Sequence, residues 1–378
     1  MSSEPSPTAS PRLVSIDALR GLDMALLAGG APLLLLLLQA CFGDSLPPEV
    51  AAQFRHAEWG AGFTCWDLVM PLFIFVVGVS MPFAFAGYRR RGGTQWRRRT
   101  LLRVLRRVVC LFLLGMVVQG NLLAFDADNI SLFCNTLQAI AAGYLIAACF
   151  LFFGGARTCL VGCVLCLAGY WAAMRFIPYA GHEGGRFLPY DNLAYFIDCT
   201  LQGSWQDGTP YTWILTSAAF GALTLMGVLG GQAMQHFRGV RACVLHLLAA
   251  VVCLLGAECL QVDTPLIKHI FSATMVLYSG GWCLLLLGLF HLLFDVLPRT
   301  HFLAAPFLPF GSNAILAYLL TATPGLRGSF WNSLCLPLFS GFSRLFGDFQ
   351  PLVFSALSFL SLFALLSFLR SKSLFLRV

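Results

Sequence analysis

Two groups of residues in this sequence carry side chains suited to chemistry. The first runs Arg55, His56, Glu58, Trp59, Gly62, Phe63 and Asp67. His56 is one of seven histidines, and a neutral imidazole can remove or relay a proton near neutral pH. Trp59 sets an aromatic face beside it. Asp67 can orient the imidazole or hold an ammonium group, and it can equally cap a helix that starts there. The second group is Ser15, Asp17 and Arg20, followed by Gly21 and Asp23. Asp17 and Arg20, three apart, share a helix face and can pair, with Ser15 as the cap. The planar fork of Arg20 also suits a phosphate.

The elements that must position these groups follow from composition. Of 378 residues, 58% are hydrophobic and 11% charged, and the mean hydropathy is +0.79. A soluble domain is about half apolar and about a quarter charged, so soluble-enzyme classes and disorder are both excluded. A bilayer span needs about 20 mostly apolar residues. Ten runs free of Asp, Glu, Lys and Arg come near that length: 24–41, 68–88, 108–125, 130–156, 158–174, 209–235, 242–257, 269–294, 302–326 and 349–369. Strand alternation is absent from them, so the expected fold is an all-α polytopic membrane protein of about ten helices. Residues 328–343, short and interrupted by Pro337, read as a re-entrant or interfacial segment. Residues 1–11, rich in Ser and Pro, read as a disordered cytoplasmic tail.

Lys and Arg collect on the cytoplasmic side of membrane helices. One set of alternate loops holds Arg12 and Arg20, nine arginines from Arg89 to Arg107, Arg157, Arg238, Arg241, Arg299, Arg370, Lys372 and Arg377. The opposite loops hold fewer, among them Arg55, Arg186, Lys268, Arg327 and Arg344. Both termini are therefore expected in the cytoplasm and His56 on the outer side. The net charge of +7 needs no nucleic-acid partner, because the basic residues form an inner collar. Most of the fourteen cysteines sit in apolar runs as small hydrophobes. Cys163 and Cys166 make a lone C-x-x-C, and no pattern supports a metal site. Cys41, Cys65, Cys134, Cys199, Cys259 and Cys335 near the outer face leave room for one disulfide.

Family likeness enters through longer motifs. Arg12-Leu-Val-Ser15-Ile-Asp17-Ala-Leu-Arg20-Gly21 resembles the first-span signature of the transmembrane heparan-alpha-glucosaminide N-acetyltransferase family and its bacterial relatives. The stretch His56-Ala-Glu-Trp59-Gly-Ala-Gly62-Phe63, continuing through Asp67, Pro71, Phe75 and Gly78 to Ser80, resembles that family's H-x-x-W block. Shorter pieces recur in order around Gln138, Asn192 to Asp198, Thr264 to Lys268, Asp295 and Asn313. The resemblance covers 12–378 and implies a single transmembrane acyltransferase domain.

What the resemblance implies is transfer of an acetyl group from cytoplasmic acetyl-CoA to the amino group of a glucosamine-type sugar on the far side. His56 maps onto the family's functional histidine, acting as base or as acetyl carrier, with Asp67 beside it. Arg20, Gln138, Lys268 and Asn313 are the candidates for holding acetyl-CoA. Trp59, Asn192 and Asp198 are the candidates for the acceptor sugar, and no metal is implied. Residues 27–32 lack the Asn that the heparan-acting relatives carry after the R-G step. That departure fits the bacterial branch, an inner-membrane location and a periplasmic amino-sugar acceptor. Membrane lipids are the expected surroundings, and the sequence leaves a homo-oligomer open. An O-acyltransferase and a transporter of sugars or lipid-linked saccharides are the alternatives; a transporter would show internal repeats, and none is evident.

The charge bias predicts that topology reporters fused at Arg91 and Ser373 report cytoplasm and those at Asn129 and Gly185 the far side. A far-side signal from Arg91 would reverse the assignment.

Overall fold

The computed structural model describes residues 13–91, 95–237, 239–325 and 328–376; the expected tail and Arg12 lie outside them. Most of the described chain is helical. The principal helices are α1 (Val14–Ala25), α2 (Ala31–Phe42), α3 (Val69–Arg91), α4 (Trp96–Val118), α5 (Thr136–Phe153), α6 (Ala156–Phe176), α7 (Leu193–Gln202), α8 (Ser217–His236), α9 (Val240–Gln261), α10 (Ala273–His291), α11 (Leu308–Ser312), α12 (Ala314–Ala322), α13 (Phe330–Ser343) and α14 (Gln350–Ser371). Two two-residue hairpins, Phe187–Leu188 with Asp191–Asn192 and Pro324–Gly325 with Gly328–Ser329, are the strands among the described residues.

Each of the ten apolar runs coincides with helix, and eight helical segments are long and apolar enough to cross a membrane among the described residues. Two runs fall short for physical reasons. Helix α4 starts at Trp96, well before the apolar run, because arginines do not break a helix although they spoil its hydropathy. Run 302–326 is cut into α11 and α12 at Asn313, which leaves helical geometry (φ −127°, ψ 41°). The first segment also begins earlier than its apolar run: Val14–Ser45 is continuous apart from a break at Gly29 (φ +118°). Asp17, Arg20 and Asp23 therefore lie within a membrane helix. Residues 330–343 form a helix about 21 Å long, too short to span, and Gly347 (φ +54°) lets the chain turn into α14.

The core lies where α3, α5, α8 and α10 meet, and lipid offers no hydrophobic drive between helices, so close backbone approach must supply packing. Gly78 of α3 shows this: a Cβ there would stand 2.1 Å from the carbonyl oxygen of Thr224 in α8. Gly21 of α1 is as tight, with 1.9 Å to the carbonyl oxygen of Phe307. The start of α1 is capped from a distance. Instead of Ser15 capping its own helix, Asp295 beyond α10 accepts from the backbone N–H groups of Val14 (3.0 Å) and Ser15 (3.3 Å), and from the Ser15 hydroxyl. His291 lies 2.9 Å from the same carboxylate. All fourteen cysteines stand as free thiols in this structure.

Substituting Gly21→Ala forces a methyl against backbone and should cost roughly 1–3 kcal/mol, read as a lower thermal midpoint in detergent. Gly87→Ala, where a Cβ meets nothing within 4 Å, should leave the midpoint unchanged or raise it; equal midpoints for both variants would refute the tight packing.

Candidate functional site

The site begins with a turn. Residues Cys65–Leu68 make one helical turn ahead of α3, and Thr64 caps it in a reciprocal box with Asp67, which satisfies donors that a helix start leaves open. Asp67 is 1% exposed. Its Oδ2 accepts from the backbone N–H of Ala57 (3.1 Å) and Thr64 (3.2 Å) and lies 3.0 Å from the Thr64 hydroxyl. Its Oδ1 lies 2.9 Å from His56 Nδ1 and 3.3 Å from Lys268 Nζ. Asp67 thus both caps the turn and orients the imidazole. The sequence offered these as alternatives, and the two carboxylate oxygens divide them.

Lys268 reaches the histidine itself. Its Nζ lies 2.7 Å from His56 Nδ1 and 3.4 Å from Nε2, and its side chain is 9% exposed. Burial lowers the Lys268 pKa from its ordinary value, and the Asp67 charge opposes that shift. Two like charges 4 Å apart repel by about 4 kcal/mol at an effective dielectric near 20. One carboxylate therefore faces two groups that cannot comfortably be cations together.

An aromatic wall stands beside this trio. Trp59 stacks on His269 with centroids 5.0 Å apart, and His269 also meets Tyr211 at 4.6 Å. The Trp59 indole N–H donates to the carbonyl of Phe187 at 2.8 Å. Burial lowers the His269 pKa, helped by the neighbouring Lys268 charge. His269 went unnoticed in the sequence, although its rarity and its place ahead of an apolar run are the signals that singled out His56. On the open side, a cleft of about 360 Å³ is lined by Arg55, His56, Glu58 and Thr64, with Pro48 and Ala51.

Asn192 and Asp198 do not face that cleft. Both are fully buried. Asn192 caps α7 by accepting from the Tyr195 N–H (2.9 Å) and donates to the Leu188 carbonyl (3.0 Å), which fixes the hairpin bearing Phe187. Asp198 accepts from the N–H groups of Trp213 (2.6 Å) and Ile214 (3.0 Å), and burial pushes its carboxyl up to about 6. These residues build the loops that hold Trp59 and Tyr211.

The other sequence-derived residues lie apart. Gln138 is buried and bonded to the Cys134 N–H (2.9 Å) and the Leu132 carbonyl (2.6 Å). Asn313 holds the final segment through the Leu374 carbonyl (3.2 Å) and the Leu376 N–H (3.1 Å). Arg20 donates to the Ser80 hydroxyl (2.6 Å) and pairs with Asp17 at 3.7 Å. Arg107, hidden in the arginine run, lies over the Tyr144 ring at 4.6 Å, and its charge bears on Arg20. Its Nε is buried without a partner.

Between the two regions lies a mostly apolar cavity of about 300 Å³, lined by Leu27, Val69, Phe73, Ile140 and Tyr318 among others. Leu27 and Phe73 lie seven residues from Arg20 and Ser80, and Ile140 four from Tyr144. Those spacings place each pair on one helix face. The cavity therefore continues the faces that carry the arginine group toward the turn that holds Asp67.

Among the described residues no cluster of His, Cys, Asp and Glu could hold a metal ion. No protein-family profile matches the chain. Among curated proteins it is similar to human heparan-alpha-glucosaminide N-acetyltransferase, 23% identical over 369 residues, a match covering 82% of this chain and 52% of that protein. The chain spans about half the length of that relative, and the likeness is a distant one.

Proposed function

We propose that this integral membrane protein is an acetyl-CoA-dependent acetyltransferase that acts on the amino group of an amino sugar at the His56 face. The observation that carries the reading is His56 itself, with Nδ1 held by a buried carboxylate and the ring open to a cleft. The named activity of the distant human relative supports the class of reaction, and the acceptor is inferred from the same name.

In this reading the acceptor amine attacks the carbonyl carbon of the thioester. A C–N bond forms, the C–S bond breaks, and CoA leaves as a thiolate. His56 Nε2 takes the amine proton, which then returns to the thiolate or to water. Arg20 and Arg107 bind the phosphates of the donor, and the apolar cavity takes its pantetheine arm. Ser80 to Val69 spans eleven residues, or about 16 Å of helix, a length suited to an extended arm crossing part of the bundle. Trp59 and His269 offer faces for a sugar ring. The machinery draws on residues from α1 to α12 and so works as one domain over 12–378, in a bacterial inner membrane with the His56 face outward.

The test uses radiolabelled acetyl-CoA with glucosamine in proteoliposomes. His56→Ala should lower transfer by about 10²–10⁴-fold while donor binding by calorimetry stays unchanged. Arg20→Ala should weaken donor binding about tenfold or more, as expected when a charged hydrogen bond is lost. Activity of His56→Ala within about threefold of the parent would remove this histidine as base, since a positioned base contributes far more. Labelling of glucose but not glucosamine would turn the reading to O-acyl transfer, and absence of CoA binding to transport.

A further inference from the structure

Lys268 was expected to interact with the donor, yet it stands on the imidazole. Its Nζ is 2.7 Å from Nδ1 and 3.4 Å from Nε2. It is closer to Nδ1 yet still within 3.5 Å of Nε2, so it stands against the ring itself rather than out along the Nδ1 direction, which Asp67 occupies. A lysine in this position that only needed an anion would reach Asp67 alone. Instead, two bases and one carboxylate touch one another in a place where Lys268 is nearly inaccessible to water.

We infer that Lys268 and His56 share a single excess proton against Asp67, so that Lys268 is a positioning residue that keeps His56 neutral and ready to accept. The role in turnover rests on His56 being the base proposed above. When Lys268 carries the proton, the neighbouring ammonium disfavours imidazolium and the ring rests neutral. When His56 takes a proton from the acceptor, that second charge is relieved by release of the Lys268 proton to water or to the departing thiolate. An N–H bond breaks on Lys268 as an S–H or O–H bond forms on the thiolate or on water, so one proton enters the pair as one leaves. The groups facing the pair are Asp67 on the turn before α3, His269 beside Lys268, Tyr211 on the loop before α8, and Arg55 with Glu58 at the cleft. Of these Asp67 supplies the only carboxylate within ion-pair distance of Lys268 among the described residues.

The sign of the effect is fixed. Removing the Lys268 charge while leaving Asp67 makes imidazolium easier to form, so His56 protonates at higher pH. The experiment follows diethylpyrocarbonate modification, which reads neutral imidazole, across pH in the full-length protein, with His56→Ala subtracted to isolate this ring. Lys268→Met should raise the midpoint by about one pH unit or more, the size of shift that a close charge produces. Lys268→Arg, permanently charged, should leave it at or below the parent value. The acidic limb of the acetyl-transfer rate should move with the midpoint. Should Lys268→Met fail to fold, Lys268→Gln supplies the neutral variant. Midpoints for the neutral variant within about 0.3 unit of the parent would overturn the inference, since a charge in contact shifts a pKa by more. A shifted midpoint in a protein that transfers no acetyl group would leave the shared proton standing and defeat the acetyltransferase reading instead.

Discussion

One buried carboxylate organises the chemical end of this molecule. Asp67 has almost no contact with water, and an ionised carboxylate in such a place is costly unless every lone pair is used. Its neighbours supply that: two backbone N–H groups, a threonine hydroxyl, an imidazole and an ammonium. Each partner is thereby fixed in turn. The Ala57 contact sets the backbone beside His56, the Thr64 contacts close the turn into α3, and the Lys268 contact ties in the segment before α10. Removing the carboxylate would release all three at once.

The remainder of the site is built in layers away from that anion. Asn192 and Asp198 hold a hairpin and a loop, and these present Phe187, Tyr211 and Trp213. Phe187 then holds Trp59, and Tyr211 meets His269. Residues with no opening to the cleft therefore decide where its aromatic wall stands. At the opposite end, Arg20 and Arg107 are anchored by Ser80 and Tyr144 on α3 and α5, the helices whose other turns line the cavity.

The sequence made the apolar runs plain, because the bilayer demands about 20 uncharged residues in a row and few other constraints produce ten such runs. It hid one helix beginning. Trp96 to Arg107 is helical despite its arginines, since hydropathy and helix propensity are separate properties, whereas the spacing of Asp17 and Arg20 already marked a helix ahead of the first apolar run. The break at Asn313 was equally invisible, because the residues on both sides are apolar. In the site, His56 and Asp67 were legible as a pair because eleven residues separate them and an aromatic lies between. Lys268 was noticed but assigned to the donor, and His269 was passed over, because their contacts with His56 and Trp59 join segments more than 200 residues apart. Arg107 was masked by its neighbours: nine arginines in one stretch read as a topology signal, and only packing shows that Arg107 turns inward.

The cap on α1 bears on the order in which the protein can be completed. The first N–H groups of a helix have no partner inside it, and here Val14 and Ser15 find theirs on Asp295, 281 and 280 positions later. During synthesis α1 is made long before Asp295, and its first N–H groups gain that carboxylate only once the eighth apolar run has been added. Arg20 sits less than two turns from the open end. A ribosome-bound fragment ending before Asp295 thus carries the whole His56 block and the Asp17 and Ser80 partners of Arg20, yet leaves the start of α1 without its carboxylate.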